Sequence, residues 1–325
     1  MSAEPILSVR DLVVEFRTEH GVVRAVDRVS FDVFPNETVG LVGESGCGKT
    51  VTGLAILGLI PSPPGRIASG SIRLAGRELV GLPESELRQL RGRDMAMVFQ
   101  EPMTALNPVF TVGNQMMDIL RRYKGLSRSQ ARAAAIELLA KVGIPAPAQR
   151  IDEYPHQLSG GMRQRVVIAM ALSCDPKLIV ADEPTTALDV TTQAQVLEQI
   201  VRLQQEFRMA MVLVTHDLGV VAETCQRALV MYCGRVAEQA DIGPLFAHPR
   251  HPYTAGLLRS LPRVGEAEKQ DLAVIPGMVP DLLDLPAGCR FAERCPRRDA
   301  RCDGELPDLD GDAASPARVA CFHPL

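Results

Sequence analysis

The sequence contains no tryptophan, and aromatic residues make up only 4% of its 325 positions. Packing must therefore rest on aliphatic side chains, and few rings remain on which single-stranded bases could stack. An excess of basic charge is missing too. The 35 Lys and Arg against 39 Asp and Glu give a net charge of −4, so no positive field attracts a phosphodiester backbone. No nucleic-acid partner is expected. Long apolar runs are also lacking: the longest, near residues 53–60 and 166–174, fall well short of the ~20 residues a helix needs to cross a bilayer. The first ten residues carry neither a basic patch leading into an apolar stretch nor a cleavage site. The expectation is a soluble chain without an export signal, whose membrane role, if any, comes through partners.

What is present is the balance of an ordinary globular protein, with 46% hydrophobic and 23% charged residues. The length suits one large domain with an insertion, or two modest domains. Alternation over residues 7–16 and 29–33 predicts an antiparallel β portion at the start. Short apolar segments at 38–42, 95–99, 178–181, 211–215 and 228–231, with helical patterns between them, predict a parallel α/β sheet. Between residues 101 and 175 the texture turns helical. There Ser127 and Gln130 make a capping box, followed by an apolar stripe of Ala131, Ala134, Ala135, Leu138, Leu139 and Val142, and Gly143 as a stop. After residue 261 the chain is rich in Pro, Gly, Asp and Arg and poorly equipped to fold by apolar burial alone. The expected divisions are 1–100, a helical insertion over 101–175, 176–260 and a small tail over 261–325.

Gly43-Glu44-Ser45-Gly46-Cys47-Gly48-Lys49-Thr50 fits the phosphate-binding loop G-x-x-x-x-G-K-[ST]. The glycines let backbone N–H groups curl around phosphate oxygens, Lys49 neutralises their charge, and the following helix adds its positive end. The Thr50 hydroxyl is placed to ligate Mg²⁺. The motif follows a predicted buried strand and opens an apolar helix, the context such a loop requires. Downstream, the strand 178–181 runs into Asp182-Glu183. Taken alone this is a strand meeting a solvated turn. Paired with the loop, Asp182 is suited to hold the Mg²⁺ water shell and Glu183 to polarise the attacking water.

Leu158-Ser159-Gly160-Gly161-Met162-Arg163-Gln164-Arg165, at the head of an apolar helix, resembles the L-S-G-G-Q signature of the ABC ATPases, with Met162 in place of Gln. Ser159 also serves as an ordinary N-cap; the two readings coexist. The resemblance extends to further elements in the family's order: Phe16 as the ring against adenine, Gln100 as the Q-loop glutamine, Ala187-Leu188-Asp189 as the D-loop and His216 as the switch histidine. Singly, a strand-end histidine or a lone phenylalanine is more often structural. Three stretches narrow the resemblance to the dipeptide/oligopeptide/nickel importer branch: Phe99-Gln100-Glu101-Pro102-Met103-Thr104-Ala105-Leu106-Asn107-Pro108, Tyr154-Pro155-His156-Gln157 and His251-Pro252-Tyr253-Thr254.

That resemblance implies a P-loop ABC core and an ATP hydrolase powering peptide uptake, with nickel or glutathione as other cargoes. A non-transport ABC ATPase of DNA repair or translation is the competing reading, but the long coiled-coil insertion or second cassette of those proteins is missing. ATP contacts are implied for Phe16, Gly43, Ser45, Gly46, Cys47, Gly48, Lys49, Thr50, Val51 and Gln100, and Mg²⁺ contacts for Thr50, Gln100 and Asp182. Glu183 and His216 are the implied catalytic pair. Ser159, Gly160 and Gly161 are implied to meet the ATP of a partner subunit, with Asp189 in the D-loop. Implied partners are a second ABC ATPase (paralogue or self), two permeases and, indirectly, an extracytoplasmic solute-binding protein. The implied location is peripheral, on the cytoplasmic face of the bacterial inner membrane.

Cys47, Cys174, Cys225 and Cys233 lie in apolar or glycine-rich surroundings and read as reduced core thiols. Cys289, Cys295, Cys302 and Cys321 are separated by five, six and eighteen residues, looser than common zinc modules. Four thiols on a tail without its own core still suggest a metal staple. The residues themselves leave Zn²⁺, an Fe–S cluster and free thiols open. Gly288-Cys289-Arg290-Phe291 and Arg294-Cys295-Pro296 resemble the tail of peptide-importer ATPases, which implies a 4Fe–4S cluster on these four cysteines, structural in role.

Overall fold

The computed structural model describes residues 4–185, 189–261, 274–309 and 317–325. The chain divides into two compact units. One, the signature unit, is built mainly from residues 81–213; the other, the P-loop unit, from residues 7–32, 38–80 and 214–325.

In the P-loop unit, β1 (Leu7–Thr18), β2 (Gly21–Val33), β4 (Gly65–Leu74) and β5 (Arg77–Glu78) form a sheet in the order β2-β1-β4-β5. Strand β1 runs antiparallel to β4, from Leu7 opposite Leu74 to Phe16 opposite Gly65, with register shifts between Arg10 and Val14. Alternate side chains Leu7, Val9, Leu12 and Val14 are fully buried, as expected of a sheet with one face on a core. The antiparallel β portion read from the sequence is present. Strand β4 was not anticipated, because Gly65, Ser69, Gly70 and Ser71 interrupt its apolar pattern. Gly70 has φ +103°, and a Cβ there would lie 2.7 Å from the Arg10 carbonyl oxygen.

The same unit holds β3 (Thr38–Val42), β9 (Arg227–Tyr232), β10 (Arg235–Asp241) and β11 (Ala317–Val319), ordered β11-β10-β9-β3. Strands β3 and β9 are parallel, with Val39 opposite Arg227, whereas β10 is antiparallel to both of its neighbours. Every residue of β3 and β9 is buried. Such unbroken burial belongs to strands covered on both faces. Strand β10 was not foreseen, since its centre is Glu238 and Gln239. Both are 1% exposed, and the Glu238 carboxylate is satisfied by the N–H groups of Arg250 and His251, at 2.8 Å each.

In the signature unit, β6 (Met95–Val98) and β7 (Leu178–Asp182) pair in parallel from Met95 and Leu178 onward, and β8 (Ala210–Thr215) lies beside β7. Helices cover Val112–Lys124, Arg128–Lys141, Gly160–Leu172 and Val190–Phe207. The capping box forms: Ser127 Oγ accepts the Gln130 N–H at 3.3 Å, and Gln130 Oε1 accepts the Ser127 N–H at 2.9 Å. The buried stripe is narrower than the sequence suggests. Ala131, Ala135, Leu139 and Val142 are fully buried, while Ala134 and Leu138 are half-buried. Among the described residues, no helix is long and apolar enough to cross a membrane.

Candidate functional site

The phosphate loop leaves β3 at Gly43 and enters the helix Lys49–Ile56. Two of its glycines sit in the left-handed region with backbone directly behind them. A Cβ on Gly43 (φ +150°) would lie 2.2 Å from the Met231 carbonyl oxygen, and one on Gly48 (φ +100°) would lie 2.3 Å from that of Ala25. No side chain fits there, so the loop is pressed against β9 behind Gly43 and against β2 behind Gly48. Gly46, at φ +78°, has nothing within 4 Å of its missing Cβ and faces open space with exposed Ser45. The result is a cradle closed behind and open in front.

Lys49 is 5% exposed, and its ammonium donates to the carbonyl oxygens of Gly43 at 2.8 Å and Glu44 at 2.9 Å, with Cys47 Sγ 3.7 Å away. The loop's own acceptors therefore hold a positive charge at its centre. Burial pushes the Cys47 thiol pKa up, so Cys47 stays a neutral lining group. Thr50 is exposed and Val51 half-buried on the first turn. An open glycine cradle, a central ammonium and an exposed Thr50 hydroxyl match a triphosphate with its Mg²⁺. Within this unit Phe16 lies on β1 against Gly65, whose missing Cβ would come 2.7 Å from the ring. His216 is exposed just after β8.

The signature unit carries the other elements. Asp182 ends β7 and is 6% exposed. Glu183 follows at φ +45°, a left-handed conformation that costs a side-chain-bearing residue about 1–2 kcal/mol. Gln100, exposed after β6, donates its amide to Glu183 Oε2 at 3.0 Å. Two elements 83 residues apart are thus brought together at one carboxylate. Ser159 caps its helix by accepting the Met162 N–H at 3.3 Å, and Ser159 and Gly160 are exposed. Gly161 approaches the helix Val190–Phe207 so closely that a Cβ would lie 2.6 Å from Thr192 Cγ2. Thr192 is in turn held by Asp189, through its N–H at 3.0 Å and its hydroxyl at 2.7 Å. Residues 187 and 188 of the expected D-loop lie outside the described residues.

The four tail cysteines lie within electrostatic reach of one another in the P-loop unit. Burial raises the Cys289 pKa to about 11, and Cys302, Cys321 and Cys295 each add to that rise. Burial and neighbouring thiols raise Cys302 and Cys321 likewise. Backbone amides are aimed at the sulfurs. The Arg297 N–H donates to Cys295 and the His323 N–H to Cys321, at 3.4 Å each, and the Phe291 N–H donates to Cys289. Among the described residues, the one group of three or more His, Cys, Asp or Glu donor atoms within 4.8 Å of one another is Asp299, Cys302 and His323. A single zinc would draw four sulfurs to roughly 3.8 Å of one another, from Zn–S distances near 2.3 Å. The cysteines converge more loosely than that.

One contributor to the site was not singled out from the sequence. Tyr253, at the start of the helix Pro252–Arg259, is fully buried, and its hydroxyl accepts the Glu44 N–H at 2.9 Å. His251 caps that helix by accepting the Tyr253 N–H at 3.0 Å. The His-Pro-Tyr-Thr stretch was the available signal, but its contact with the loop needs the fold.

Residues 26–186 match the family model described as ABC transporter, and residues 237–302 the model described as oligopeptide/dipeptide transporter, C-terminal region. A peptide import ATP-binding protein of Brucella melitensis biotype 1 is 52% identical over 319 residues, covering 95% of this chain and 94% of its own. The dipeptide transport ATP-binding protein DppD of Escherichia coli K12 is 50% identical over 98% of this chain and 97% of its own. Its namesake in Bacillus subtilis 168 is 49% identical over 94% and 90%. Among solved structures, the post-hydrolysis dimer of the ATP-binding cassette MJ0796 with ADP and phosphate superposes with a TM-score of 0.66, at 26% identity, over 73% of this chain and 98% of that one. The chain belongs to the ABC transporter ATPases that carry the oligopeptide/dipeptide transporter C-terminal region.

Proposed function

We propose that this chain hydrolyses Mg–ATP to power the import of dipeptides and oligopeptides through membrane permeases. The observation that carries this reading is the lysine-centred glycine cradle in the same chain as a capped, solvent-facing signature helix. Supporting the cargo are the relatives named for peptide import and dipeptide transport, at about half identity over nearly the whole chain. Nickel and glutathione imply the same machinery but have no such support, and nothing points to DNA repair or translation.

In this reading the loop amides, Gly43, Ser45, Gly46, Cys47, Gly48, Val51 and Lys49 hold the phosphates, and Phe16 meets the adenine. Thr50, Asp182 and Gln100 would hold the Mg²⁺, which would supply charge neutralisation to the phosphates. Glu183 accepts the proton of the attacking water, Gln100 orients that carboxylate through its 3.0 Å amide contact, and His216 senses the terminal phosphate. Catalysis is then positioning and electrostatic stabilisation without a covalent enzyme intermediate. Ser159, Gly160 and Gly161 complete the site of a neighbouring ATPase, which is a paralogue or a second copy, and Asp189 backs the contact. Two permeases and an external solute-binding protein complete the transporter, placing the chain at the cytoplasmic face of the membrane.

Cys289, Cys295, Cys302 and Cys321 would hold a 4Fe–4S cluster that staples the tail. Support for a cluster over zinc comes from the tail's resemblance to peptide-importer ATPases and from no three of the four sulfurs lying within 4.8 Å of one another; the four-thiol set itself suits either metal.

The test is reconstitution of the chain with its permeases and peptide-loaded binding protein in liposomes. ATP hydrolysis and peptide uptake should rise together when the loaded binding protein is added. Hydrolysis that responds to DNA or ribosomes but not to the permeases would overturn the reading.

A further inference from the structure

The cysteine tail reaches the phosphate loop through two arginines, each next to a cysteine. Arg290, beside Cys289, pairs with the Asp27 carboxylate and donates to the Cys233 carbonyl oxygen. The adjacent Gly234 N–H donates to the Cys47 carbonyl oxygen at 3.0 Å, on the underside of the loop. Arg294, beside Cys295, reaches the loop itself. Its guanidinium forks onto Glu44, at 2.7 Å to Oε2 and 3.0 Å to Oε1. The Arg294 side chain is 4% exposed, lies over the rings of Tyr232 and Phe291, and donates its Nε–H to the Pro276 carbonyl oxygen at 3.0 Å.

Glu44 presents a difficulty for a phosphate site. It is the second residue of the loop, and its carbonyl oxygen is one of the two that hold Lys49. Its carboxylate adds a negative charge to the loop that polyphosphate must approach. Bidentate pairing with a buried guanidinium cancels that charge and fixes the side chain in a single orientation. The Tyr253 hydroxyl fixes the Glu44 backbone from the other side.

We propose that Arg294 is a positioning residue of the nucleotide site: from within the cysteine tail it neutralises and anchors Glu44, so that the tail sets the affinity of the loop for ATP. This rests on the ATP-binding reading above. The tail is then part of the nucleotide site's support as well as an appendage to the core.

The experiment measures binding of a fluorescent ATP analogue to the full-length protein and to four variants: Lys49→Ala, Arg294→Met, Glu44→Gln and the Arg294→Met/Glu44→Gln pair. Methionine keeps the stem that packs on the two rings, and melting curves check folding. Arg294→Met should weaken binding about tenfold, because Glu44 is left as an uncompensated charge. Glu44→Gln still accepts from Arg294 and should bind at least as tightly as the wild type. The double variant should return to within about threefold of wild type. A purely structural arginine would not be rescued by Glu44→Gln, so failure of that rescue overturns the proposal. So does wild-type affinity in Arg294→Met, or a tenfold loss in Glu44→Gln, which remains decisive if Arg294→Met does not fold. Absence of nucleotide binding in the wild type, or no loss in Lys49→Ala, would instead sink the ATP reading itself.

Discussion

Replacing Gly48 by alanine places a methyl group 2.3 Å from the Ala25 carbonyl oxygen, on a backbone held at φ +100°. Relief requires a backbone shift of about 1 Å, because carbon–oxygen contacts settle only beyond roughly 3.3 Å. Left-handed strain contributes about 1–2 kcal/mol and forced overpacking about 1–3 kcal/mol. Together these predict a loss of about 3 kcal/mol. A unit of this size loses about 2–4 °C of melting temperature per kcal/mol, so the melting point should fall by about 6–12 °C. The nucleotide site should suffer by a comparable amount, since a 1 Å displacement at a reacting centre can cost about 100-fold in rate. Gly46→Ala is the matched control. It has a similar left-handed backbone, φ +78°, but open space where the methyl would go. Only the strain remains, about 1–2 kcal/mol. Calorimetry and fluorescent-nucleotide titration on both variants separate the two terms. Equal losses in Gly46→Ala and Gly48→Ala would refute the reasoning that the loop is pressed onto β2.

Three other outcomes follow from the same geometry. Glu183→Gln should lower ATP turnover by about 100-fold or more while nucleotide binding persists; wild-type turnover would remove Glu183 from its role. Anaerobic purification should yield about four irons and four sulfides per chain, and Cys295→Ser should lower both; one zinc and no iron would overturn the cluster. Burial pushes the His251 imidazole pKa down to about 4, so between pH 6.5 and 4 the unfolded chain binds more protons than the folded one. Its contribution of about 3 kcal/mol is complete above pH 6.5 and lost as pH falls toward 4. Urea midpoints at pH 7.5 and 4.5 should therefore converge in His251→Gln, and an unchanged pH dependence in that variant would contradict the assignment.

The phosphate loop was legible because its chemistry needs contiguous residues: glycines at fixed offsets, a lysine and a hydroxyl between a buried strand and a helix. Strands β3, β6, β7, β8 and β9 were legible because each is short and apolar. The sequence-level patterns gave no warning of β10, where burial of Glu238 depends on amides from a segment twelve or more residues away. Nor could they reveal the Arg294–Glu44 pair, whose members are 250 residues apart. A tail poorly equipped to fold by apolar burial alone is held partly by arginines that reach carboxylates and carbonyls elsewhere in the P-loop unit. Periodicity records which face of an element is apolar. It does not record which distant partner satisfies a buried charge.

The central claim is that nucleotide is shared between the loop of one ATPase and the signature helix of its neighbour. Cryo-electron microscopy of the assembled transporter carrying Glu183→Gln, with Mg–ATP, tests it most directly. The account predicts the triphosphate enclosed between Lys49 of one subunit and a signature serine of the other, with this chain's Ser159 and Gly161 at the neighbour's nucleotide. A triphosphate gripped by one protomer alone, with residues 159–161 turned to solvent in the closed complex, would contradict it.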